Sequence, residues 1–91
     1  MESKKEQKVP KWFNGDVYTQ GSTVRNPFSG QEHELNALEL SIYDMIIGAQ
    51  LMVDAFGGPF DPNTAEFQQE MVKGLTWFRS NNAEAYMVLL D

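Results

Sequence analysis

Residues 26–56, NPFSGQEHELNALELSIYDMIIGAQLMVDAF, decide the fold. The stretch opens on a turn. Asn26 starts it, Pro27 presets one backbone dihedral, and Gly30 takes the position that a side chain would strain. A helix follows. Two capping boxes could start it, Ser29 with Glu32 or Asn36 with Glu39, and the second is preferred because unbroken helical periodicity begins there. Gly57-Gly58-Pro59 stops the helix, with glycine supplying the left-handed cap and proline forbidding continuation.

At 100° per residue, Leu35, Leu38, Ile42, Met45, Ile46, Ala49, Val53 and Phe56 fall in one arc. Leu40, Tyr43, Ile47 and Leu51 form a second apolar stripe on the far side, and Ser41, Gly48 and Ala55 make a small-residue row between the two. A helix with two apolar sides needs two things to pack against. Either an N-terminal arm carrying Trp12 and Phe13 covers the second stripe, or part of it stays exposed as a contact surface.

Outward from this helix the pattern stays helical. A second helix starts at Asp61-Pro62, or at Asn63 with Glu66 as its capping box, and ends near Ser80. Its apolar stripe is Phe67, Met71, Leu75 and Phe78, with Gly74 on the same side permitting close approach. Asn81 with Glu84 would cap a short last helix carrying Tyr86, Met87, Leu89 and Leu90. Before residue 26, Val17-Tyr18 and Thr23-Val24 flank Gln20-Gly21 as a candidate hairpin. A lone hairpin is marginal in water, so it must lie on a helix. The fold class expected is mainly α: a three-helix domain with a small N-terminal β-hairpin or extended arm. Residues 1–11 read as a disordered basic tail and residues 12–91 as a single helical domain.

Ninety-one residues support one modest core, burying about 60% of the unfolded surface. With no cysteine, disulfides, thiolate chemistry and Cys-based zinc sites are excluded. The formal charge of −6 is unevenly spread. Residues 1–11 hold four lysines against two glutamates, a balance of +2. Residues 12–91 hold three cations against eleven acids, a balance of −8. An acidic body repels phosphate backbones, so no nucleic-acid partner is expected. Nor is a membrane: the most apolar run, Met45 to Phe60, is broken by Gln50, Asp54, Gly57, Gly58 and Pro59 and is too short to span. A charged N-terminus without an apolar stretch is no signal peptide, which points to a soluble cytoplasmic protein.

The residues that could carry chemistry fail on spacing. His33 sits in Glu32-His33-Glu34, but the second histidine of an H-E-x-x-H zinc motif would fall at Ala37. Ser29 lacks the G-x-S-x-G frame of a nucleophile elbow. Its pairing with His33 lacks an orienting acid, so a turn role suits it better. Gly57-Gly58-Pro59 has no Lys-Ser/Thr of a phosphate loop. No enzyme activity, metal or cofactor is expected.

Asn26-Pro27-Phe28-Ser29-Gly30, followed by Leu35, Glu39, Tyr43 and Asp44, resembles a pattern in short uncharacterised proteins of marine phages and their bacterial hosts. There an N-P-F-S/T-G turn precedes a helix containing L-x-x-x-E-x-x-x-Y-D. The resemblance spans residues 26–44 and does not extend to the C-terminal half. It implies a phage or phage-like origin, a setting in which small acidic proteins bind host machinery or join the particle. The expected function is a non-enzymatic protein–protein interaction module, an accessory protein binding a host protein. Its anchors would be Leu40, Tyr43, Ile47 and Leu51, with Trp12 and Phe13 beside them. The alternative is a structural or self-assembling subunit, such as a minor virion component, in which the same stripe makes a homo-oligomer.

Overall fold

Asn36 sets the start of the long helix as its chemistry predicts. Its side-chain oxygen accepts from the Glu39 N–H at 2.8 Å, while the Glu39 carboxylate accepts from the Asn36 N–H at 2.9 Å. In this computed structural model, which describes residues 7–13 and 15–90, helix α1 runs Ala37–Ala55. It ends at Phe56, where the Gly58 N–H reaches back to the Val53 carbonyl at 2.8 Å and Gly57 has φ of +120°. That six-residue closure satisfies a carbonyl the helix would otherwise leave open.

A 3₁₀ turn, Pro62–Thr64, leads into α2, Ala65–Asn81. Asp61 caps the turn by accepting from the Asn63 N–H at 2.8 Å. Of the two starts read from sequence, Asp61-Pro62 therefore begins this region. Asn63 lies inside the 3₁₀ turn and makes no capping box with Glu66. The third helix is capped by Asn82, one residue beyond the expected Asn81. Asn82 accepts from the Ala85 N–H at 3.1 Å, whereas Asn81 closes α2 by donating to the Trp77 carbonyl at 2.9 Å. Helix α3, Ala83–Ala85, continues as a π-helical segment through Tyr86–Leu90.

The hairpin exists and Thr23-Val24 is one of its strands as read, but that strand pairs forward with residues 32–35 and not back with Val17-Tyr18. Strand β1 is Ser22–Arg25 and strand β2 is Glu32–Leu35, antiparallel, with Val24 opposite His33 and Ser22 opposite Leu35. Val17-Tyr18 is not a strand. Gln20-Gly21 is not the hairpin turn either, because the chain there passes close over the start of α1. A Cβ on Gly21 would overlap the Leu35 carbonyl and the Asn36 backbone. The turn is the Asn26–Gly30 segment, and the strand after it occupies residues that an alternative Ser29–Glu32 cap would have made helical.

Helices α1 and α2 pack against each other and carry most of the core. Leu35, Ile42, Ile46, Trp77, Phe78, Ala85 and Leu89 form one buried cluster, drawn from β2 and all three helices. Phe78 and Ile42 are fully enclosed, each contributing about 1.5–3 kcal/mol by leaving water. The Trp77 ring meets Phe78 edge-on, at 5.3 Å between centroids. Gly74 lets the helices close up: a Cβ there would lie 2.5 Å from Ile46 Cγ1. Among the described residues no helix is long and apolar enough to cross a membrane.

Candidate functional site

The six residues expected to make contacts fall in three places. Leu40 and Tyr43 are half-buried and pack on the margin of the core cluster. Ile47 is half-buried, and Leu51 is 63% exposed. Trp12 and Phe13 are half-buried, edge-to-face at 6.4 Å, and join the core margin from the arm.

The arm is fixed to α1 at one point of the small-residue row. The Tyr18 N–H donates to Ser41 Oγ at 2.8 Å, and Ser41 in turn donates to the Ala37 carbonyl at 2.7 Å. The Tyr18 hydroxyl donates to Asp44 at 2.7 Å. On a helical wheel Ser41 and Asp44 lie on the flank between the two apolar stripes. The arm is thus hydrogen-bonded along that flank, while Leu51, at the far end of the second stripe, stays open to solvent.

Asp44 also shapes the two nearby tyrosines. Its carboxylate, by accepting the hydrogen bond and by its charge, raises the Tyr18 phenol above its ordinary 10.0. Tyr43 is raised as well, by burial first and by Asp44 second. Both hydroxyls are held neutral, which suits hydrogen-bond donation and not nucleophilic work.

A more exposed apolar surface lies at the distal end, where α1 hands over to α2. Leu51, Met52, Phe56, Phe60 and Val72 are exposed in this half of the molecule, with Phe60 at 97%, and of these Phe60 and Val72 line the hollows between the elements. Phe56 was expected in the core arc. Instead it caps the last turn of α1 beyond the end of the core and stacks on Phe67, 6.3 Å between centroids. Two adjoining hollows, about 660 and 300 Å³, share Pro59, Gln68 and Val72 as lining and form one open groove along this end.

The turn that presents Phe60 is firmly built. The buried Thr64 hydroxyl lies within donating reach of the Gly58 and Asp61 carbonyls, at 3.0 and 2.8 Å. Gln68 donates to Thr64 Oγ1 at 2.7 Å and to the Pro59 carbonyl at 2.8 Å.

The hairpin tip is the other apolar feature. Phe28 is 97% exposed. Asn26 Oδ1 accepts from the N–H groups of Phe28 and Ser29 at 2.8 and 3.3 Å, and its Nδ2 donates to the Val88 carbonyl at 2.9 Å. Gly30, at φ +78°, closes the turn onto the Asn26 carbonyl. Ser29 Oγ accepts from the Gln31 N–H at 3.2 Å, a turn role. Periodicity reveals neither Phe28 nor Phe60, because each is a single apolar residue between turn formers. Val72 was hidden among the polar positions of its helix.

The polar groups that could suggest catalysis are occupied structurally. His33 lies half-buried on β2, with Nδ1 2.9 Å from the Glu34 carbonyl and Nε2 3.9 Å from Glu84. The buried Glu39 carboxylate accepts from Asn36 N–H, from Gln7 at 2.7 Å and from Asn82 at 2.9 Å. Among the described residues, no group of three or more His, Cys, Asp or Glu is placed to hold a metal, and no buried side-chain polar atom lacks a partner. Residues 1–6, most of the basic tail read from sequence, lie outside the described residues. Comparison of the chain with protein-family models, curated proteins and solved structures finds no match.

Proposed function

We propose that this chain is a non-enzymatic protein-interaction module, an accessory protein of phage type that binds a host protein. One observation supports the reading: exposed apolar side chains line the distal groove. Phe60 and Val72, 97% and 61% exposed, line it, and Leu51, 63% exposed, stands on the outer face of α1. Such a patch costs solubility and is retained in monomers chiefly as a contact site. Leu51 also ends the second stripe of α1, so that helix offers exposed apolar area on the face opposite its buried Ile42, Ile46 and Val53. Large aromatic and aliphatic anchors in a groove are the usual source of binding energy in protein contacts.

Affinity capture from the native cell, with Leu51→Asp and Ile47→Asp beside the wild-type chain, tests this. Leu51→Asp is expected to keep the fold, read by circular dichroism, and to lose the captured protein. A Leu51→Asp chain that folds and still captures the same protein would falsify the assignment of this surface. A second reading, a self-assembling subunit, is favoured by the exposure of a second aromatic, Phe28, on the hairpin turn and outside the groove lining.

A further inference from the structure

Phe28 and the distal groove have complementary features. The phenylalanine is almost fully exposed, yet its turn is held by two side-chain hydrogen bonds from Asn26 and a third to Val88. A knob held this way loses little freedom on docking, so more of its burial energy reaches the complex. The groove is an open apolar depression of about 660 Å³ lined by Val72 and Phe60, a surface on which a protruding apolar side chain can seat.

Charge agrees with shape. The knob segment, residues 25–31, holds Arg25 and no acid, in a body that is otherwise strongly acidic. The Arg25 guanidinium lies beside the turn, 3.6 Å from where a Gly30 Cβ would sit. The groove lining carries Asp54 and Asp61 against the single cation Lys73. The one basic loop of the body thus meets a net acidic rim.

Phe28 is not among the residues that line the groove of its own chain. Its turn leads through β2 to the start of α1 and is tied to Val88, whereas the groove lies at the other end of this 19-residue helix, about 28 Å along its axis. We infer that the groove receives the Phe28 turn of a second copy of this chain, with Arg25 set against Asp54 and Asp61. This inference rests on the reading of the groove as a protein-contact surface and names its occupant.

Such a contact is heterologous: the patch given differs from the patch received, so each copy offers both and assembly runs head to tail. A single turn seated in one open groove makes a limited contact, of the weak, concentration-dependent kind.

Sedimentation velocity of the full chain, up to about 1 mM where weak contacts populate, tests the geometry. The wild-type chain is expected to sediment faster as concentration rises, passing beyond a dimer. Phe28→Ala keeps a groove without a knob, and Val72→Asp keeps a knob without a groove. Each alone is expected to stay monomeric, and their equimolar mixture to form a 1:1 complex that grows no further.

A wild-type chain monomeric throughout overturns the inference, as does a mixture that stays monomeric, or a dimer that neither variant changes. Should Val72→Asp fail to fold, Phe60→Ala at a 97% exposed position replaces it. The two readings separate cleanly. A monomeric wild-type chain whose captured protein is still lost on Leu51→Asp sinks self-docking and leaves the interaction module standing.

Discussion

Asn82, at the junction of α2 and α3, donates to the buried Glu39 carboxylate at 2.9 Å, joining positions 43 residues apart. The same carboxylate receives Gln7 from the arm and the Asn36 N–H from the start of its own helix. One acid therefore fastens three parts of the chain at the proximal end.

Glu39→Ala leaves those donors without an acceptor and removes half of the capping box. A loss of about 3 kcal/mol is expected, given that each buried group left unpaired costs about 1–3 kcal/mol. Glu39→Gln keeps one acceptor oxygen and should lose less. Urea unfolding of the three chains orders them, and equal midpoints for Glu39→Ala and wild type would contradict the assignment.

Gly74→Ala sets helix propensity against packing. Alanine gains about 1 kcal/mol in a helix interior, but its Cβ would sit 2.5 and 2.8 Å from Cγ1 and Cδ1 of the buried Ile46. Overpacking costs about 1–3 kcal/mol, so the change is expected to destabilise. In an Ile46→Ala background those two atoms are gone, and the same substitution should stabilise. A double-mutant cycle in thermal unfolding reads the reversal. Additive effects would mean that the helices do not meet there.

Much of this was legible in the chain, for a physical reason. The Asn36–Glu39 box, the Gly57-Gly58 stop and the close approach at Gly74 rest on chemistry within a few residues or on strict periodicity. The hairpin register was not legible. Its second strand, Glu32-His33-Glu34-Leu35, is polar apart from Leu35 and gains its place by pairing with β1 and by burying Leu35 on the helices. The candidate surface was half legible. The second stripe of α1 can be read off a helical wheel, but which of its members stay open depends on the path of the arm. Phe28 and Phe60 carry no periodic signal at all.

The Tyr18–Asp44 bond gives an alkaline signature. The folded chain holds the Tyr18 proton more tightly than the unfolded chain, whose phenol titrates near 10.0. The stabilisation is therefore fully present below pH 10 and is lost as pH rises through the higher folded value. The stability difference between wild type and Tyr18→Phe should shrink to nothing across that window, while Tyr43, raised in the same direction, still titrates late. Phenolate absorbance and unfolding midpoints against pH check both. A difference unchanged above pH 10 would show that the bond does not form.

Asn26 is expected to be the most sensitive exposed-turn position. Asn26→Ala removes two accepted N–H bonds and the donation to Val88, a loss of about 1–2 kcal/mol. Asn26→Asp keeps the acceptor oxygen and loses only the donation, so its melting temperature should fall between the other two. Asn26→Asp melting no higher than Asn26→Ala would argue against the turn geometry.

That long-range tie divides the molecule by the order in which it assembles. Helices α1 and α2 are joined through a short connection, and their mutual contacts close only small loops of chain. The bond from Asn26 to Val88 closes one of 62 residues, and closing entropy is paid before any such contact rewards it. The paired helices are expected to form the folding nucleus, with the hairpin docking onto them afterwards. Perturbing the helix crossing at Gly74 should therefore slow refolding, whereas loosening Asn26 should mainly quicken unfolding. The Phe28 turn is shaped by local bonds, but its docking onto Val88 is thus expected on the downhill side of the barrier, in chains whose helical scaffold is already complete.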